Sequence, residues 1–268
     1  MSEPEFRSDL FRGTASYYDR FRVPYPRSLI NDLAERTVVP SSGRLLDLAC
    51  GTGQLCFALH ERFEQVWAVD SEPDMIAVVQ AKAKAAGIAN LRVLTCAAED
   101  LPAPAQSFDL VTIGNAFHRL RRPAVAASVF RWLRPGGFLA LVWGDPPWTG
   151  EAPWQRAGQA IAQRWSAQDR IPPGYGQDRA GRPDAVILAE AGLEFTGRRE
   201  FTVQHEWTTE AIIGYSFSTS VLSRTALGDQ APAFEADLRR ELLARDPSGR
   251  FGQTVTFARD LFRRPPGV

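Results

Sequence analysis

The sequence predicts an α/β fold, a doubly wound and mainly parallel sheet with helices on both faces, and three observations carry that expectation. Between residues 44 and 144 short apolar runs alternate with helix-period patterns, the mark of repeated βαβ units. The first of those runs ends in a glycine-rich turn, LDLACGTG at 46–53, where a strand would hand over to a helix. With 268 residues, 44% of them hydrophobic and 23% charged, the chain is long enough for one such domain carrying additions.

Taken in order, residues 14–20 and 26–36 read as helices separated by the PYP at 24–26. Strands follow at 44–48, 65–70, 91–95, 108–113 and 138–143, with helices at 54–62, 73–86 and 123–133 between them. Pro73 and Pro123 favour the last two helices, because a fixed φ and a missing N–H cost nothing in a first turn. The PGG at 135–137 is expected to end the third helix and turn the chain into the fifth strand. Residues 145–183, rich in Pro, Gly, Trp and Gln without clear periodicity, read as an irregular or partly helical insertion where a lid could sit. A helix at 184–191, a strand at 195–204 and a last strand at 251–258 complete seven strands, the last two antiparallel, with helical excursions at 208–227 and 232–245. One domain is expected, with cap helices in 1–40, a ligand-binding core in 41–144, insertion and pocket elements in 145–250, and the last strand with its tail in 251–268.

Lys plus Arg and Asp plus Glu each total 31, so no net positive charge draws the chain to nucleic acid or to an anionic membrane. Cys50, Cys56 and Cys96 are too few and too irregularly spaced for a disulfide framework or a zinc site. No metal is expected, and a reducing cytoplasm fits best. The N-terminal stretch is charged throughout and no eighteen apolar residues follow one another, so neither secretion nor membrane insertion is expected. A homo-oligomer stays open.

At a strand-to-helix turn the first helical N–H groups are unpaired, and glycine lets a nucleoside approach the backbone. A dinucleotide-binding dehydrogenase loop would read G-x-G-x-x-G; Gly51 and Gly53 fit, but the third position is Cys56. The second strand closes on VWAVD, which puts Asp70 seventeen residues after Gly53. Its two carboxylate oxygens suit the two hydroxyls of a ribose. With Ser71 it also suits capping of the helix that begins near Pro73. AAEDLP follows the third strand, FDLVTIGNAFHRL spans the fourth and LRPGG precedes the fifth.

In order and spacing these segments resemble the motifs of the class I S-adenosylmethionine (SAM)-dependent methyltransferases, over roughly residues 17–143 and more weakly beyond. The resemblance implies a Rossmann-like seven-stranded sheet and SAM as cofactor. Asp47 would open the first motif, with Ala49 in place of the family's first glycine, and Ala49, Cys50, Gly51 and Gly53 would meet the methionine end through backbone. Asp70 and Ser71 would take the ribose, Met75 would lie under the adenine as an adaptable thioether, and Ala98 and Glu99 would meet its edge. Asn115 and Ala116 would run along the methionine, with Phe117 and His118 facing the acceptor. ASYYDRFRVPYP resembles the family's gate, so Tyr17 would contact cofactor or acceptor and Arg22 would pair with a carboxylate on either. Tyr18, Phe117, Trp143, Trp148, Tyr215 and Ser218 would build the acceptor pocket. Each also has an ordinary structural role open to it, as core, packing or capping group.

Displacement at a sulfonium methyl needs mainly alignment and exclusion of water. A hydroxyl acceptor also needs a base, for which His118 is the candidate by its near-neutral pKa, with Tyr17 and Phe117 beside the reaction. An amine needs only positioning. The expected activity is N- or O-methylation of a small-molecule acceptor, in bacterial specialised, antibiotic-type metabolism. Two other readings remain. One is an RNA or protein methyltransferase, although NAFH stands where an NPPY-like tetrapeptide would, and no basic tail is present. The other is a SAM-binding protein of this fold that transfers no methyl.

Overall fold

The computed structural model describes residues 9–37, 42–166 and 181–267. Strand β1 (Arg44–Leu48) is apolar apart from its first residue and Asp47, as befits a strand covered on both faces. Successive side chains on a strand point to opposite sides. Leu45 therefore packs with Leu29, Leu33 and Leu59, while Leu46 and Leu48 pack with Val129, Trp132 and Leu188. The other strands are β2 (Gln65–Asp70), β3 (Leu91–Thr95), β4 (Phe108–Gly114), β5 (Leu133–Gly144), β6 (Glu194–Thr208) and β7 (Arg250–Arg263). They form one sheet in the order β3-β2-β1-β4-β5-β7-β6. Strands β1 to β5 pair in parallel, and β7 is antiparallel to both β5 and β6, so β7 alone runs against the sheet. The order reverses between β1 and β4, which opens a crevice beyond their carboxyl ends.

Helices α1 (Ala15–Phe21) and α2 (Arg27–Arg36) precede the sheet, and α3 (Gln54–Leu59), α4 (Pro73–Ala85) and α5 (Arg122–Trp132) connect its parallel strands. After β5 come α6 (Pro153–Trp165) and α7 (Asp184–Glu190), and between β6 and β7 lie α8 (Thr209–Phe217), α9 (Arg224–Leu227) and α10 (Ala231–Arg245). Helices α2 and α3 cover one face of the sheet; α5 and α7 cover the other. Trp154, Ile161, Phe217, Phe234 and Leu238 join α6, α8 and α10 in a separate apolar layer that Tyr17 and Phe21 of α1 complete. Helix α1 meets α8 closely, because a Cβ at Gly214 would stand 2.3 Å from the Phe21 ring. Buried Asp32 pins α2 to the β6–β7 pair by accepting from Arg36, Arg199 and Arg259. Burial works to raise its pKa, but the three guanidiniums outweigh it and hold the carboxyl below its usual value.

Several expected boundaries shift. The PGG lies inside β5, not before it: α5 ends at Trp132, Gly136 adopts φ 82°, and the β4–β5 register slips between Phe108 and Leu110. Strands β6 and β7 run longer than expected: β6 lies at the edge of the sheet, one of its faces is polar, and Gly197, Arg199 and His205 dilute the apolar face of Phe195, Phe201, Val203 and Trp207. The expected helix at 54–62 stops at Leu59 and closes in a 3-10 turn, His60–Arg62. The excursion at 208–227 divides into α8 and α9. Within the expected insertion, 153–165 is the regular helix α6, and 167–180 lies outside the described residues, as do 1–8 and 38–40 of the expected cap and residue 41 of the expected core.

Candidate functional site

At the β1/β4 reversal the loop after β1 uses three left-handed residues, Ala49 (φ 54°), Gly51 (φ 54°) and Gly53 (φ 85°). At Gly53 a Cβ would stand 2.7 Å from the Phe57 ring, so both conformation and space demand glycine. Asp47, 1% exposed, braces the loop from beneath: Oδ2 accepts the Cys56 N–H at 3.0 Å and Oδ1 the Thr112 hydroxyl at 2.8 Å. Burial pushes its pKa up to about 7 despite those bonds. At the end of β2, Asp70 accepts the Gly51 N–H through Oδ2 at 2.8 Å and the Glu72 N–H through Oδ1 at 2.9 Å. Burial raises this carboxyl as well. The Ser71 N–H bonds the same carboxylate, which still has acceptor capacity left for a ligand.

Above this loop opens a cleft of about 620 Å³, counting the part continuous with solvent. One wall is Asp70, Ser71, Glu72 and Met75, and the loop residues Ala49 and Gly51 form the floor. The opposite wall is Gly114, Asn115, Ala116, Arg119 and Leu120, with Tyr18, Leu10 and Phe11 also lining the space. Asn115 is left-handed too (φ 52°), which aims the chain away from the sheet. Two smaller spaces share residues with this cleft. One is lined by Tyr18, Tyr25, Asp47, Cys50 and Gln54; the other by Arg22, Tyr25, Asp145, Tyr215 and Phe257. Tyr25 closes in because β4 ends in glycine: a Cβ at Gly114 would stand 2.8 Å from the phenol oxygen.

Arg22 is tied to α8 by three bonds, from Nε to Ser218 Oγ (2.8 Å), from Nη1 to the Tyr215 hydroxyl (2.8 Å) and from Nη2 to the Ser218 carbonyl (3.3 Å). Its guanidinium stands 4.7 Å from the Tyr18 ring centre and 4.2 Å from that of Tyr215. Burial pushes the Tyr25 phenol well above its usual pKa and raises that of Tyr215. Both hydroxyls therefore stay protonated near neutrality. Burial also pushes the Cys50 thiol up, which leaves it inert.

Of the residues singled out from the sequence, Ala49, Gly51, Asp70, Ser71, Met75, Asn115, Ala116 and Tyr18 line the cleft. Arg22, Cys50 and Tyr215 line the adjoining spaces. Tyr17 points elsewhere, since neighbours on a helix diverge by about 100°; its hydroxyl accepts from Arg224 and its ring meets Phe217 at 5.3 Å. Phe117, 4% exposed, belongs to the core under α5. His118 shares the short turn Phe117–Arg119, of which Arg119 is the member on the cleft wall. Ala98 is buried in the same core, and Glu99 Oε1 accepts the Arg121 N–H at the start of α5 (2.9 Å). Trp143 packs with that core, with the Arg198 guanidinium 4.7 Å from its ring. Trp148 stands edge-on to Tyr215 at 5.4 Å, and buried Ser218 reaches the site only through Arg22.

Sequence reasoning missed Leu10, Phe11, Tyr25, Gln54, Glu72 and Arg119. Tyr25 is the centre of PYP and Arg119 lies inside FDLVTIGNAFHRL, while Glu72 stands two residues beyond VWAVD. Leu10 and Phe11 carry no periodic signal.

The chain belongs to the class I SAM-dependent methyltransferases, whose members take SAM as methyl donor. A family model described as a methyltransferase domain matches residues 45–137. Nocamycin O-methyltransferase of Saccharothrix syringae is 30% identical over 96% of this chain and 99% of its own length. An uncharacterised methyltransferase of Mycobacterium tuberculosis is 35% identical over 50% of this chain, which spans about half (51%) of that relative's length. Among solved structures, YcgJ of Bacillus subtilis shares the fold with a TM-score of 0.57 at 17% identity, covering 90% of this chain and 100% of its own.

Proposed function

We propose that this chain transfers a methyl group from SAM to an oxygen or nitrogen of a small metabolite, with oxygen favoured. The observation that carries the reading is that Asp70 and Met75 on one wall, Asn115 and Arg119 on the other, and Tyr18 share one cleft. SAM supplies a methyl group already activated by its sulfonium. Asp70 and Ser71 hold the ribose, Met75 packs under the adenine, and the backbone at 98–99 bounds its edge. Ala49, Cys50, Gly51, Asn115 and Ala116 cradle the methionine, and Arg22 with Tyr25 and Gln54 meets its polar end. A planar guanidinium suits a carboxylate there.

Leu10, Phe11 and Leu120 keep water from the acceptor, and Arg119 orients it. His118 takes the proton when the acceptor is a neutral hydroxyl. An acidic acceptor arrives ionised, needs no base, and is suited by Arg119. The full-length likeness to Nocamycin O-methyltransferase supports an oxygen acceptor. The even charge balance supports a small molecule over nucleic acid. Among the described residues no helix is long and apolar enough to cross a membrane. The test is formation of S-adenosylhomocysteine (SAH) from SAM with a panel of phenols, carboxylic acids and amines; SAH formation with none of them refutes the reading.

A further inference from the structure

We propose that Glu72 is a second carboxylate ligand for the donor's ribose: its Oε1 accepts one hydroxyl hydrogen beside Asp70, while its other oxygen holds the N-terminal segment over the sugar. The inference rests on the donor site proposed above. Glu72 lines the cleft, is 5% exposed, and its Oε1 has no hydrogen-bond partner among the described residues. A buried carboxylate oxygen in that state costs free energy until a donor reaches it. Its own N–H is given to Asp70 Oδ1, which fixes the two carboxylates side by side at the carboxyl end of β2. A vicinal diol presents two hydroxyl donors on adjacent carbons, one for each carboxylate.

Other occupants fit less well. Among the described residues no group of three or more His, Cys, Asp or Glu is arranged to hold a metal ion, and Asp74, the next carboxylate, accepts the Gly13 N–H at 3.3 Å. The Glu72 carboxyl also accepts the Phe11 N–H. Glu72 and Asp74 thus fasten residues 11–13 across the cleft, where Leu10 and Phe11 line it. The charged groups facing Glu72 are Asp70, Asp74 and Arg12, with Arg119 on the far wall. Burial, with the Asp70 charge added, pushes the Glu72 pKa up to about 7 even against the Phe11 bond. A hydroxyl donor at Oε1 favours the ionised form, so ligand binding expels a proton near neutrality.

The experiment is calorimetry of SAH and of its 2′-deoxy and 3′-deoxy counterparts on the wild type, Glu72→Gln and Glu72→Ala. Glu72→Gln should weaken SAH binding about fivefold and Glu72→Ala more than tenfold, the scale of a hydrogen bond to a charged group. One deoxy counterpart should already bind the wild type weakly and lose nothing further in either variant. SAH affinity of the wild type should fall below pH 7, and that slope should flatten in Glu72→Gln. Unchanged SAH affinity in both variants overturns the proposal, as do equal losses for SAH and both deoxy counterparts in folded variants checked by thermal unfolding. A wild type that binds no SAH overturns the donor site itself.

Discussion

Gly51 donates its backbone N–H to Asp70 Oδ2 across 2.8 Å, so a single carboxylate ties the loop after β1 to the end of β2. Asp70→Ala removes both that tie and the proposed ribose acceptor. SAH affinity in calorimetry should drop at least tenfold, as loss of a charge-assisted hydrogen bond predicts. Wild-type affinity in this variant would refute the ribose assignment.

Arg119 and His118 make separable contributions under the proposed reaction. Arg119→Ala should raise the acceptor KM roughly tenfold, because the proposed acceptor contact is lost together with the bond to Ser220 Oγ (3.1 Å) and the stacking on Phe11. His118→Ala should lower kcat by about 10² for a neutral hydroxyl acceptor. For an acidic acceptor it should change kcat little. Equal behaviour of both acceptor types removes His118 from proton transfer.

Ala49 occupies φ 54°, where an L side chain is strained by about 1–2 kcal/mol. Ala49→Gly relieves that strain but loosens the unfolded chain, so a net gain of about 1 kcal/mol is expected in denaturant unfolding. A loss of stability would show that the methyl group packs usefully in the loop.

Burial raises both Asp47 and Glu72 to about 7 in the folded chain, while unfolded they titrate near the usual carboxyl values. Between about pH 4 and 7 the folded state therefore holds more protons than the unfolded one. The stability these groups contribute is full below that window, falls as pH rises through it, and is level above it. For Glu72 the fall is on the order of 3 kcal/mol at most. Thermal unfolding of the ligand-free protein from pH 5 to 8 should show a shallower decline in Glu72→Gln than in the wild type. Parallel curves would contradict the raised pKa.

The sheet was legible because parallel strands buried on both faces leave mainly apolar runs, as in Leu45–Leu48, broken only by Asp47, and Leu110–Ile113, broken only by Thr112. The loop was legible because backbone geometry forces glycine into Gly51 and Gly53. What escaped depends on direction, not on residue type. Tyr17 and Tyr18 are chemically alike, and only the rotation of α1 turns Tyr18 into the cleft. Phe117, His118 and Arg119 lie in one turn, and packing sends the phenylalanine to the core and the arginine to the wall. Leu10 and Phe11 reach the site through long-range bonds to Glu72 and Asp74, which no local pattern encodes.

The close fit of Phe21 against Gly214, and the bonds from Arg22 to Tyr215 and Ser218, join segments nearly two hundred residues apart. Synthesis from the amino end completes β1 to β4 and the Asp70 clasp while α8 is still untranslated. The residues that line one wall of the cleft, Asp70 to Met75, therefore leave the ribosome well before Tyr215 and Ser218, which anchor Arg22.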